Sequence, residues 1–175
     1  MKPYKLADGF SAMDIPDEVK TKMLGVTIHT NDKITFSDLA YLKLLHYDFN
    51  GTILNGELVC NQKLAKEVLR IFKDLYDNKY PIEKIRLADD YGGDDDKIMS
   101  DNNSSCFNYR VIADTNVISM HGQGRAIDIN PFYNPYIVGD KIMPSEAYPY
   151  ADRSKDFPYK IDENDLCFKV FKSYG

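Results

Sequence analysis

The sequence predicts an α+β fold: a small antiparallel sheet with helices packed on one face. Three observations carry that prediction. Residues 39–49 alternate, with Tyr41, Lys43, Leu45, Tyr47 and Phe49 on one side and Leu42, Leu44, His46 and Asp48 on the other, which is the period of a strand. Two Asn-Gly pairs follow, Asn50-Gly51 and Asn55-Gly56, the dipeptide that reverses a chain in a two-residue hairpin turn, so residues 39–60 read as strand, turn and strand. Leu64, Val68, Ile71, Phe72 and Leu75 then fall on one stripe of a helix over residues 63–77, with Asn61 as its cap and Pro81 beyond its end. An amphipathic helix of that kind requires a sheet to cover it.

The remaining elements are shorter. Residues 1–35 form an extension of mixed character, with a helix starting near Pro16-Asp17-Glu18, ending before Gly25 and serving to pack. Residues 82–87 alternate as a core strand, and residues 88–105 make a long acidic loop, of the length that is functional or disordered. Its aspartates lack the spacing of a calcium loop. Residues 125–130 read as a fourth sheet strand, residues 131–158, rich in Pro and Tyr, as irregular, and residues 162–174 as a final helix capped by Asp162 with Leu166, Val170 and Phe171 inward.

At 175 residues the chain is one domain by length, 1–175. Hydrophobic residues at 43% and charged residues at 28% are ordinary for a globular protein. A net charge of -5 argues against nucleic acid, whose phosphates demand a basic face. No run approaches the roughly 20 apolar residues of a membrane span, and the first nine residues lack the apolar core of a signal peptide. Cys60, Cys106 and Cys167 are an odd number at no metal-binding spacing; buried apolar roles fit them better than a Cys106 to Cys167 disulfide.

Chemistry concentrates in Ser119-Met120-His121-Gly122-Gln123-Gly124-Arg125-Ala126-Ile127-Asp128. His121 and Asp128 stand either side of a glycine-rich turn. Gly122 and Gly124 supply backbone angles that let the chain double back, and Ala126 leaves space beside Asp128. An imidazole and a carboxylate are two of the three protein ligands that a catalytic zinc uses, with the fourth position left to water. A lone His with an Asp seven residues on is more often structural than metal-binding. The pattern as a whole is more specific.

Ser-x-His-x-x-Gly-x-Ala-x-Asp resembles the first metal motif of the D-alanyl-D-alanine carboxypeptidase-like (VanY-like) zinc peptidases, which cut peptidoglycan stem peptides. Tyr109-Arg110 looks like the segment that carries this family's arginine, and Asp128-Ile129-Asn130-Pro131, Asn134-Pro135-Tyr136 and Asp152-Arg153 look like the continuation. The order of features follows the family from about Leu39 to the last residue. The resemblance implies a hydrolase with Zn2+ held by His121 and Asp128, Arg110 as a catalytic group that steadies the oxyanion, and a peptidoglycan peptide as substrate, with Ser119 either contacting that peptide or fixing the turn. A structural ion pair between Arg110 and the acidic loop is the competing reading. The implied location is extracellular or at the cell wall; the oligomeric state is not legible.

The resemblance also implies a second motif, an acid followed by a third ligand, His, in a Trp-rich segment. This chain has no Trp and no His after His121. We read it as a C-terminally truncated member retaining half of its site, in preference to completion of that site by His29, His46 or Cys167. The corresponding expectation is weak or absent turnover; the alternative function is a non-catalytic member that at most binds cell-wall peptides.

Overall fold

The central sheet of the computed structural model has four antiparallel strands in the order β1 (Tyr4–Ala7), β2 (Phe10–Met13), β3 (Leu39–Tyr47) and β4 (Ile53–Asn61). The structure describes residues 1–30, 32–112 and 115–175. The hairpin is in the expected place, with Leu39 opposite Asn61 and Tyr47 opposite Ile53. Its reversal is built on Asp48, whose Oδ1 accepts from the backbone N–H groups of Asn50 at 2.8 Å and Thr52 at 2.7 Å, with Gly51 at φ +77°. Gly56 lies inside β4. A Cβ there would stand 2.7 Å from Leu44 Cδ1 and 3.0 Å from Ile85 Cβ, so this glycine serves close packing instead of a turn.

The strands beside the hairpin differ from expectation. β1 and β2 come from the extension at residues 1–35, and β2 pairs with β3 through Ala12 and Leu42. Four-residue strands around a tight turn at Gly9 leave little periodicity to read. Residues 82–87 contribute only β5 (Lys84–Ile85), paired in parallel with β6 (Asn103–Ser104) in a separate small sheet. Neighbouring backbone groups are satisfied by side-chain amides: Glu83 N–H donates to Asn130 Oδ1 at 3.1 Å and Arg86 N–H to Asn103 Oδ1 at 2.9 Å. Those bonds take the place of a longer ladder.

Helix α2 (Ala65–Asp77) packs on β2 and β3 and is in turn covered by α4 (Leu166–Tyr174). Val68, Ile71, Phe72 and Leu75 are buried between them, with Ala40, Leu42, Leu44, Leu58 and Cys60 from the facing strands. Complete burial of Leu69, Phe72 and Leu75 stabilises this layer by roughly 1.5–3 kcal/mol per side chain. The opposite strand face carries Leu39, Tyr41 and Val59, which join Val19 and Met23 of α1 (Asp17–Met23) in a second cluster. α4 starts one turn later than predicted: Asp165 is its cap, accepting from Cys167 N–H at 2.8 Å, while Asp162 accepts from Asn164 N–H.

The acidic loop is more ordered than its composition suggests. It holds α3 (Asp95–Ser100), capped by Asp94, and leads into β6. Residues 131–158 contain a short hairpin, β7 (Tyr136–Val138) and β8 (Lys141–Met143), with Tyr136 opposite Met143. All three cysteines are free and buried. No helix among the described residues is long and apolar enough to cross a membrane.

Candidate metal centre and its cleft

One extended stretch, residues 105–110, positions the site. Phe107 N–H bonds the Val59 carbonyl of β4 at 3.1 Å, fixing the stretch to the central sheet. Its other backbone groups hold the loop that carries the motif: Ser105 and Asp128 exchange a pair of bonds at 3.2 and 3.0 Å, Asn108 N–H reaches the His121 carbonyl at 3.3 Å, and Ser119 N–H reaches the Arg110 carbonyl at 2.9 Å. Residues three and more apart in the motif are therefore set against a single neighbouring strand-like segment.

The turn is fastened from its far side as well. Asn61 N–H donates to the Gly124 carbonyl at 2.8 Å and Asn61 Nδ2 to the Gln123 carbonyl at 3.1 Å. Gly124 has φ +64°, and a Cβ on it would lie 2.6 Å from Asn61 N. Gly122 is needed for a different reason than expected. Its φ is not positive; a Cβ there would meet the Arg110 carbonyl at 2.8 Å, so it permits close approach of two chain segments.

The expected strand over 125–130 is reduced to the Ser105 and Asp128 bridge. Asn130, at φ +45°, breaks the alternation that would have put it on the face of Asp128. It is fully buried and ties Pro81, Glu83 and Ser104 together through its amide and N–H. Asn134 and Arg153 make a similar staple: the guanidinium donates to Asn134 Oδ1 and to the carbonyls of Tyr133 and Ile161.

His121 and Asp128 converge. His121 Nδ1 stands 2.8 Å from the Cys106 carbonyl, and since a carbonyl only accepts, Nδ1 carries the hydrogen and Nε2 is the free position. Nε2 faces Asp128 Oδ2 at 3.4 Å. Burial works against a charge on this ring, but the Asp128 carboxylate, by hydrogen bond and by charge, and the Cys106 carbonyl outweigh it, so the His121 pKa is raised. A nearby Arg110 acts in the opposite direction. The pair thus favours a proton on Nε2 facing the Asp128 carboxylate.

Both residues line a cleft of about 690 Å³ together with Arg110 and Ser119. Asp95 and Met99 line it from the acidic loop, and Asn134, Pro135, Tyr136, Lys141 and Met143 from the segment after the motif. Arg110 donates from Nη1 to Asp95 Oδ1 at 2.8 Å, and Asn108 Nδ2 donates to the same oxygen at 2.9 Å. It therefore occupies the cleft while paired with the acidic loop. Ser119 Oγ accepts from Gly122 N–H at 3.0 Å, which fixes the turn.

The ion pair of Arg110 with the acidic loop was the competing reading of the sequence, and Asp95 is its partner; the Cys106 carbonyl and Lys141 escaped the sequence reading. A backbone carbonyl leaves no trace in residue identity, and Asp95 is one aspartate within a run. Among the described residues, no group of three or more His, Cys, Asp or Glu side chains is placed to hold a metal ion. His29 lies beside Asp32 at 3.4 Å, and His46 is buried against the Ile82 carbonyl.

No curated protein and no solved structure matches the chain. A family model described as D-alanyl-D-alanine carboxypeptidase matches residues 113–175; Arg110 and everything before it lie outside that match. Over this segment, which carries Ser119, His121 and Asp128, the chain is similar to the D-alanyl-D-alanine carboxypeptidases, in agreement with the family resemblance read from its motifs.

Proposed function

We propose that this chain carries the metal half-site of a zinc-dependent peptidase that hydrolyses D-amino-acid-containing peptidoglycan stem peptides outside the cytoplasm. The observation that carries the reading is the 3.4 Å separation of His121 Nε2 and Asp128 Oδ2, with Nδ1 tied to a carbonyl. A tetrahedral ion with arms of about 2.1 Å has edges of about 3.4 Å, so the separation of the two donors matches that of two ligands on one zinc. The Cys106 carbonyl supplies the outer partner that fixes tautomer and ring orientation in metal-bound histidines.

When bound, zinc supplies Lewis acidity and an activated water near neutral pH. The chain's own groups do the rest. His121 and Asp128 hold the ion, and Arg110, on the cleft wall, offers guanidinium N–H groups to the oxygen that becomes negative as the amide is attacked. Its bond to Asp95 orients it, and the carboxylate partly offsets its charge. Ser119 shapes the turn through Gly122 and keeps its hydroxyl hydrogen for a peptide carbonyl.

The test is release of D-Ala or stem-peptide fragments from purified cell-wall material with added zinc, in parallel with binding of a soluble stem peptide. A general base typically contributes 10²–10⁴-fold, and neither a base nor a third protein ligand is identified among the described residues. The expected result is peptide binding with slow or undetectable release. Binding lost in both His121→Ala and Arg110→Ala supports the site; failure of the folded protein to bind any stem peptide refutes it.

A further inference from the structure

The charged side chains of the cleft are unequally engaged. Arg110 pairs with Asp95 at 2.8 Å, and Asp128 faces His121 at 3.4 Å. Lys141 lines the same cleft and forms no ion pair among the described residues. Its direction is set by the backbone. Lys141 and Met143 are two apart in β8 and share a face, both line the cleft, and Tyr136, paired with Met143, lines it from β7. Lys141 is therefore an exposed cation on a hairpin wall with the exposed Tyr136 and the half-buried Met143, while Asp95 and Arg110 line the same cleft from other segments of the chain.

An incoming carboxylate meets different surroundings on the two walls. Beside Arg110 it also meets the Asp95 carboxylate, which already takes one guanidinium N–H. Beside Lys141 it meets a cation on a flexible arm with three donors, the nearest acidic residue in sequence being Asp140 on the hairpin turn. We propose that Lys141 is the carboxylate anchor of this cleft, selecting peptides that present a carboxylate within reach of the hairpin while the bond to be cut lies over His121 and Asp128. This rests on the peptidase reading and narrows its substrate class to acid-bearing peptides. The carboxylate belongs either to the peptide's C-terminus or to an acidic side chain such as that of a glutamate.

The test is an NMR or calorimetric titration, free of any need for turnover. Probes are an acylated D-Ala-D-Ala free acid, its C-terminal amide, and a stem peptide with Glu or Gln at its acidic position. Wild type should favour an acid over its neutral counterpart by roughly two- to fivefold, in the range of a partly exposed ion pair. Lys141→Met should abolish that preference and Lys141→Arg should keep it, with thermal unfolding unchanged because the residue is exposed on a short hairpin. Whether the D-Ala acid or the Glu peptide carries the preference identifies the source of the carboxylate. A preference that survives in Lys141→Met, or equal binding of acid and neutral probes to wild type, overturns the assignment and leaves the peptidase reading intact. Absence of binding by every probe overturns both.

Discussion

Replacing Gly124 by Ala should cost about 2 kcal/mol and displace the metal motif, because two independent penalties meet at that position. The first is conformational: at φ +64° an L side chain costs roughly 1–2 kcal/mol. The second is a collision with main chain, which cannot rotate away. The new Cβ would lie 2.6 Å from Asn61 N and 3.0 Å from the Cys60 carbonyl carbon. Relieving it to an ordinary 3.4 Å contact needs about 0.8 Å of movement, which stretches the 2.8 Å bond from Asn61 N–H to the Gly124 carbonyl to about 3.6 Å, beyond hydrogen-bond range. That bond is worth about 0.5–1.5 kcal/mol, and reduced chain entropy in the unfolded state returns about 0.4–1 kcal/mol. Gly51→Ala is the control. Gly51 has φ +77° with nothing within 4 Å of its added Cβ, so it pays the first penalty alone. Urea unfolding of both variants, with His121 NMR signals as a local probe, gives the comparison. Equal losses for the two variants, or unshifted His121 signals in Gly124→Ala, would refute the claim that the turn is clamped against β4.

Two titration predictions follow. Asp128→Asn removes the carboxylate that raises the His121 pKa, so that pKa should fall; because a raised pKa stabilises the fold at low pH and is lost as pH rises through it, the variant should lose stability mainly on the acid side. His46 behaves oppositely: burial lowers its pKa from 6.5, so its contribution is present above pH 6.5 and disappears as pH falls below it, and unfolding midpoints should drop between pH 7 and pH 5 less steeply in His46→Gln than in wild type.

How much of this was legible in the sequence depended on where each element's hydrogen bonds go. The hairpin and α2 bury stripes that recur at fixed spacing, so Leu42, Leu44, Val68 and Phe72 announce their own surroundings. The strand at 82–87 and the strand at 125–130 looked alike in pattern, but their backbone groups are met by the amides of Asn103 and Asn130 or by a single bridge, and no local pattern distinguishes a ladder partner from a side-chain partner. At the site, His121 and Asp128 were legible as types at a motif spacing. Their convergence depends on residues 105–110 lying alongside the loop, a long-range pairing, and the engagement of Arg110 by Asp95 depends on α3, which an acidic run conceals.

Zinc binding followed at the three histidines tests the central claim most directly. Complete four-ligand sites bind with roughly 10–16 kcal/mol; two protein donors scale to about half of that, or a dissociation constant between roughly 1 and 200 µM. In a titration of protein carrying 15N-labelled histidine, the His121 Nε2 signal should move saturably in that range while buried His46 stays still, and Asp128→Ala should weaken the response. His29, exposed beside Asp32 at the same 3.4 Å, is the internal comparison, since it lacks a buried outer partner and should respond only at higher concentration. A response at His29 before His121, or no saturable response at His121 below millimolar zinc, would contradict the account.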